Sequence, residues 1–178
     1  MSNARANLLL HPVRLRIVTA AAGRELTAAD LAAALPDVPQ ATLYRHLKRL
    51  VDGGMLAVVA ENPVRGLVQQ VYTLAAPNIS SLDAADIAGL SKDEQRALFA
   101  AFAVTLTASF EQHLARSSAN TAAEDVGFHL YPLYLTDAEL AQLGAGLAQL
   151  IGPLLANRPG AGRRRHLLAT AMLPAAEP

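Results

Sequence analysis

Four residues, Pro36-Asp37-Val38-Pro39, are all that separate two stretches of helical period. A link this short and stiff forces the flanking helices to cross steeply, which is the helix-turn-helix arrangement. The first helix starts at Thr27, whose hydroxyl can cap the amide of Asp30, and runs to Pro36 with Leu31 and Leu35 facing inward. The second occupies Pro39 to Gly54. Leu43, Leu47 and Leu50 share one of its faces, and Thr42, Arg45, Lys48, Arg49 and Asp52 share the other. Only the apolar face is needed to hold a surface helix down. The opposite face, with its Arg, Lys and Thr, is free to meet phosphates and base edges. Alone, such a face is more often simply solvated.

Its neighbours change that balance. Upstream, His11-Pro12 opens a helix, with Pro12 in the first turn where its missing N–H does no harm. Val13, Ile17 and Ala20 or Ala21 line one side, and Gly23 ends it. Residues 1–7 read as polar and loosely held, with Leu8 to Leu10 able to dock on a partner. Downstream of Gly53-Gly54 the period changes from helix to strand. Residues 55–60 read as a strand, 61–66 as its turn and 67–74 as the return strand. A hairpin directly behind a helix-turn-helix is a wing. Its tip carries Arg65, between Pro63 and Gly66, where a guanidinium could enter a minor groove.

Composition narrows the class. With 52% hydrophobic residues but only 4% aromatic, the core must be built from Ala, Leu and Val, which favours close-packed helices. Formal net charge is zero, yet residues 1–74 hold eight Lys/Arg against five Asp/Glu and residues 75–178 hold seven against ten. The front is thus +3 and the back −3, a division that fits a polyanion-binding front and a self-associating or regulatory back. Arg outnumbers Lys thirteen to two, which with the Ala richness fits a bacterial genome of high GC content. Cysteine is absent, which excludes disulfides and thiolate metal sites. No apolar run reaches the length of a membrane span, and Leu8 to Leu10 is too short for a signal-peptide core, so a soluble, cytoplasmic protein is expected.

Residues 75–81, AAPNISS, form the best linker, which divides the chain into 1–80 and 81–178. Leu82 to Leu90 suits a short helix. Ser91-Lys92-Asp93-Glu94 is a capping box opening a helix of about 25 residues, near 38 Å long. Leu98, Phe102, Leu106 and Phe110 recur on it every four residues, a stripe suited to a dimer spine. Residues 127–135 read as an edge strand containing Pro132. A second capping box, Thr136 to Glu139, opens an amphipathic helix marked by Leu140, Leu143, Leu147, Leu150, Ile151 and Leu154. Residues 163–173 give a further strand that could pair with 127–135. The fold class is therefore mainly α with small β: an N-terminal winged helix-turn-helix, a long dimerisation helix and a small C-terminal α/β extension.

Residues 1–75 resemble the winged helix-turn-helix of ArsR-type bacterial transcriptional regulators. The resemblance rests on His11-Pro12-Val13-Arg14-Leu15-Arg16-Ile17, on Thr27 to Leu35, on Ala41 to Val51, and on Gly53-Gly54-Met55-Leu56 with the hairpin. It implies a homodimer on a two-fold site in double-stranded DNA, the second helix in the major groove and the wing on the flanking backbone. Gln40, Ala41, Thr42, Tyr44 and Arg45 would then lie nearest the bases, Lys48 and Arg49 near phosphates, and Arg65 at the wing. Many members of that family sense metals through Cys-containing motifs, which this chain lacks, or through His and carboxylate pairs on the terminal helix, where only Glu111 and His113 stand here.

Other chemistries are weakly marked. The histidines at 11, 46, 113, 129 and 166 are scattered, although His129 and His166 would meet if their strands paired. Arg163-Arg164-Arg165 is a basic run beside a Gly-rich turn, better read as a solvated strand edge than as a phosphate site. Phe102, Phe110, Phe128, Tyr131, Tyr134 and Met172 could line an apolar pocket for an unidentified small-molecule effector, with plain core packing the better reading. No glycine-rich phosphate loop, nucleophile elbow or metal-ligand spacing is present, so no enzyme, cofactor or metal is expected. The alternatives to a DNA-binding repressor are a winged-helix module that binds another protein and a small-molecule-binding protein assembled by its front half.

Overall fold

The computed structural model describes residues 2–64, 67–77, 81–116 and 126–175. In chain order the elements are α1 (Ser2–Leu9), α2 (Pro12–Ala21), β1 (Leu26–Thr27), α3 (Ala28–Ala34), α4 (Gln40–Asp52), β2 (Leu56–Val64), β3 (Leu67–Leu74), α5 (Ala84–Ile87), α6 (Lys92–Arg116) and α7 (Asp137–Leu155). The molecule is mainly helical, with one small antiparallel sheet in the order β1-β3-β2.

Local chemistry explains most of the boundaries. The His11 side chain accepts a hydrogen bond from the Val13 amide at 3.2 Å, and Pro12 takes the first helical position of α2. Gly23, at φ +71°, then reverses the chain in the left-handed region, which a side chain would disfavour. Thr27 and Asp30 form a reciprocal capping box at α3, with Asp30 N–H to Thr27 Oγ1 at 3.1 Å and Thr27 N–H to Asp30 Oδ2 at 2.9 Å. The hydrogen bond from the Thr27 hydroxyl, at 2.7 Å, and then that from its amide hold the Asp30 carboxyl below its usual range. The boxes expected at Ser91–Glu94 and Thr136–Glu139 are both made.

The core is one cluster under the sheet. Ile17 and Val18 of α2, Leu31 of α3, Leu43, Leu47 and Leu50 of α4, and Met55 are all but inaccessible to solvent. Burying each Leu contributes about 1.5–3 kcal/mol. Leu9 joins the same cluster. The N-terminal stretch, expected to be loose, is therefore a helix packed on the core, because Ala6 and Leu9 fall one turn apart on a buried face. Leu8 sits so close to Gly53 that a Cβ there would collide with its side chain. Leu8 and Leu9 thus pack within their own chain.

The hairpin is longer than its sequence indicates. The expected turn at 61–66 is mostly ladder: Glu61 pairs with Gln70, Asn62 with Gln69 and Pro63 with Val68. Pro63 is tolerated because β2 is an edge strand. A register shift falls between Val58 and Ala60. Two-residue β1 pairs Leu26 with Tyr72 and Thr27 with Val71, tying the start of α3 to the wing.

α6 packs along α2, and Gln112 Nε2 reaches the Ala34 carbonyl at 3.1 Å. The C-terminal third differs from its expectation. Residues 127–135 and 163–173 carry no strand pairing, and α7 between them has no buried residue. Both stretches are apolar, but each lacks a neighbouring edge within the described residues. Among those residues no helix is long and apolar enough to cross a membrane.

One polar ring sits within the α2–α4 contact. His46 is 2% exposed, lies with its ring centroid 4.3 Å from that of His11, and neither of its ring nitrogens has a hydrogen-bond partner among the described residues. Burial first, then the charges of His11, Arg14, Arg45 and Arg49, lowers its pKa from 6.5 to about 4. His11 is shifted in the same direction, chiefly by burial.

Two stability predictions follow from this packing. Leu47→Ala leaves a cavity at the centre of the cluster and lowers unfolding free energy by about 2–5 kcal/mol, read by denaturant unfolding with far-UV dichroism. A base whose pKa is lower folded than unfolded stabilises the fold only while neutral. Stability is therefore whole above 6.5 and falls as pH drops from there towards 4, by up to about 1.4 kcal/mol per unit. His46→Leu flattens the melting temperature across that window; a variant with the wild-type pH slope refutes the assignment.

Candidate nucleic-acid interface

α4 is held from three directions, and what remains free is its cationic ridge. Leu43, His46, Leu47 and Leu50 form the buried face. Val38, 7% exposed, plugs the preceding turn into the core. Arg16 of α2 grips Asp37 of the same turn with a two-pronged contact, Nη1 to Oδ2 at 2.7 Å and Nη2 to Oδ1 at 2.6 Å. The hydrogen bond to Arg16 holds the Asp37 carboxyl below its ordinary range and raises the Arg16 pKa. The turn is thus fixed by charge outside and by Val38 inside, which sets the direction in which α4 leaves it.

At 100° per residue, Ala41, Arg45, Lys48 and Asp52 lie directly opposite the leucines. All four are exposed. Thr42 and Arg49 occupy the flank towards α2, where Arg49's charge depresses the pKa of both Arg14 and His11. Gln40 and Tyr44 occupy the flank towards the wing. Tyr44, half exposed, forms with Val68, Gln69, Gln70 and Tyr72 a shallow groove between α4 and β3. Gln70 is fixed there by Tyr72 Oη, which donates to its Oε1 at 3.0 Å, and by its own bond to Glu61 at 2.9 Å.

The ridge is not uniformly cationic. Lys48 Nζ pairs with Asp52 at 2.9 Å, one turn on. Both groups are well exposed, so the pair is worth little and can exchange for a phosphate. Arg45 and Arg49 have no carboxylate within ion-pair distance among the described residues. Pro39 provides no side-chain cap, which leaves the first amides of α4 uncapped at the same end as Gln40 and Ala41. The arrangement puts hydrogen-bonding groups at the N-terminal half of α4 and point charges along its length, with a hairpin on one side.

Six of the eight residues expected to contact a ligand, Gln40, Ala41, Tyr44, Arg45, Lys48 and Arg49, are thus exposed along α4. Thr42 is the exception in degree, since it is half buried on the α2 flank instead of on the outward ridge. Arg65, at the tip of the hairpin, lies outside the described residues. Of the stripe expected to dimerise, Leu98 packs against the N-terminal core, Phe102 and Phe110 are half buried, and Leu106 is exposed. The effector-pocket residues do not enclose a cavity: Phe128 meets Phe110 edge-on at 5.6 Å, while Tyr131 and Tyr134 stand in solvent. His129 stacks on Tyr131, two residues along the same stretch, and not on His166. Arg165 of the basic run donates to the Thr19 carbonyl. No cluster of three metal-ligating side chains occurs among the described residues.

Sequence reasoning missed the Arg16–Asp37 fork and the burial of His46. The first had a signal, an acid alone in a Pro-bounded turn, but nothing in the sequence says which base reaches it. The second had one too: His46 lies three and four residues from Leu43 and Leu50, inside the apolar stripe.

No curated protein matches the chain. The family described as a helix-turn-helix domain matches residues 9–59, a span that begins at the last residue of α1, includes α2, α3 and α4, and ends within β2. The segment that presents the cationic ridge is therefore a helix-turn-helix domain, followed here by a β-hairpin wing.

Proposed function

We propose that this protein is a sequence-specific DNA-binding transcriptional regulator, a repressor of the ArsR type, acting in the cytoplasm of a bacterium as a homodimer and without catalysis. The observation that carries the reading is the ridge itself: Arg45 and Lys48 stand opposite a fully buried leucine face, on a helix whose neighbours on either side are a wing and further cations. In this reading the N-terminal half of α4 enters the major groove. Arg45 reads a base edge, best suited to the paired acceptors of guanine, with Gln40, Ala41, Thr42 and Tyr44 beside it. Lys48, Arg49 and Arg65 meet phosphates and release counterions. α6 serves as the spine of the dimer, presenting Leu106 with Phe102 and Phe110. Two copies then address half-sites about one helical turn apart on a roughly palindromic operator.

Selection of bound fragments from random duplexes yields the operator, and gel shifts on it test the docking. Arg45→Ala costs about 1–3 kcal/mol and relaxes preference at one base pair, whereas Lys48→Ala weakens all sequences alike and flattens the salt dependence by about one counterion. Binding unchanged by both substitutions refutes the reading. Tight binding without salt dependence points instead to a protein partner for the same ridge.

A further inference from the structure

The contact between α2 and α4 gathers hydrogen-bond donors and positive charge with no acceptor to meet them. His46, 2% exposed, holds two ring nitrogens without a partner among the described residues, and Arg14 Nε is buried in the same condition. Buried polar groups are nearly always satisfied, so their concentration at one contact calls for a reason. Arg14 keeps one bond of its own, from Nη2 to the Asn7 carbonyl of α1 at 3.2 Å. The His11 ring lies against that of His46, with 4.3 Å between centroids. Among the described residues the charged groups that bear on these rings are Arg14 of α2 and Arg45 and Arg49 of α4, all positive, and no carboxylate of a neighbouring element joins them. None of the three arginines is in an ion pair there.

The first turn of α2 decides which groups are left to hold a ligand. Pro12 has no N–H, and the amides of Val13, Arg14 and Leu15 already bond to His11, the first through its Nδ1 at 3.2 Å and the others through its carbonyl at 2.9 and 3.2 Å. Side chains must therefore do the holding. Because Nδ1 of His11 accepts in that cap, the proton of the neutral ring sits on Nε2, which makes an exposed donor of it. Protonation of Nδ1 would break the cap, and burial together with the arginines keeps both rings neutral near neutral pH. The cluster is complementary to a compact group with several acceptor oxygens and negative charge, and the positive end of α2 favours the same.

Position indicates where that group comes from. The hairpin borders α4 on the Tyr44 side, and α2 borders it on the Arg49 side. With α4 in a major groove, these flanks face the two backbones that bound the groove, so the α2 side meets the strand away from the wing.

We propose that His11, Arg14 and Arg49 form a site for one phosphate of duplex DNA on the strand opposite the wing, with the neutral His11 ring donating from Nε2 and the two guanidiniums supplying charge. His46 is the floor of this site and backs the His11 ring. The site depends on the docking proposed above for its ligand, and it extends the contact surface from the helix-turn-helix and wing to the preceding helix.

Anisotropy titrations of the full chain on the selected operator, with single phosphates replaced in turn by neutral methylphosphonates, test it. One position in each half-site weakens the wild type about tenfold, and that replacement has little further effect on Arg14→Gln or His11→Asn, each of which has itself lost about tenfold. Asn keeps the helix cap while removing the ring. Arg14→Gln also flattens the salt dependence by about one counterion. His11→Asn leaves that slope unchanged and costs as much in mild alkali as at neutral pH, because the donor is a neutral ring. In the unsubstituted protein the His11 ring resonances move on the native duplex and not on the methylphosphonate one, which decides the matter should either variant fail to fold. Losses that add at every position, without coupling to Arg14 or His11, overturn the site and leave the regulator reading intact. Ring shifts produced by inorganic phosphate, again without that coupling, assign the cluster to a free anion and overturn the duplex as its source. A wild type that binds no duplex removes the regulator reading, and this contact with it.

Discussion

The leucine face of α4 is the constraint on which the rest of this molecule depends. Leu43, Leu47 and Leu50 are buried to within 1%. They meet α2, α3 and the first residues of β2 in a single cluster. Because that face is committed, rotation of α4 about its own axis would expose one leucine and bury one cation, each at a cost of kilocalories. The helix can therefore present only one ridge. Arg16 and Asp37 add a constraint of a different kind, on tilt instead of rotation, by fixing the turn from which α4 departs.

That commitment has an electrostatic consequence. Arg14, Arg45 and Arg49 are near enough to add to burial in lowering the proton affinity of His11 and His46, and Arg49 does the same to Arg14. The fold tolerates the crowding by keeping His46 neutral and by leaving Arg45 and Arg49 in solvent. Such a cluster has little to gain from its own chain, since the carboxylates near it, Asp37 and Asp52, are already paired with Arg16 and Lys48. An external polyanion would relieve it. The charge distribution thus favours an anionic partner at this surface on grounds separate from the shape of the helix.

What could be read in the sequence was whatever one element settles by itself. The apolar spacing of α4, the Thr27, Ser91 and Thr136 caps and the Gly23 stop each depend on residues within a turn of one another, and each is found in place. What involved two elements was less legible. The hairpin turn was placed too wide because Asn62 and Pro63 resemble turn residues, while their real positions are set by pairing with Gln69 and Val68. α1 escaped notice because Arg5 and Asn7 mask the Ala6 and Leu9 face, which only the core beneath reveals. Leu98 belongs by period to the stripe of α6 but by packing to the N-terminal cluster. Thr42 and Arg49 share the outward half of α4 on a helical wheel, and the proximity of α2 separates them from the ridge.

The C-terminal third carries the same lesson one level up. Its residues 127–135 and 163–173 have the composition of strands, and the backbone through them is indeed extended, so the local preference is obeyed. The pairing that makes an extended segment a strand is not a local property. Sequence reasoning supplied it from within the chain, by joining the two stretches to each other across α7. Among the described residues neither stretch is paired, and Leu130 and Tyr134 stand in solvent. A period of two says that a segment suits a sheet, but which edge it joins depends on the packing of the whole molecule, and no run of residues within one stretch encodes that.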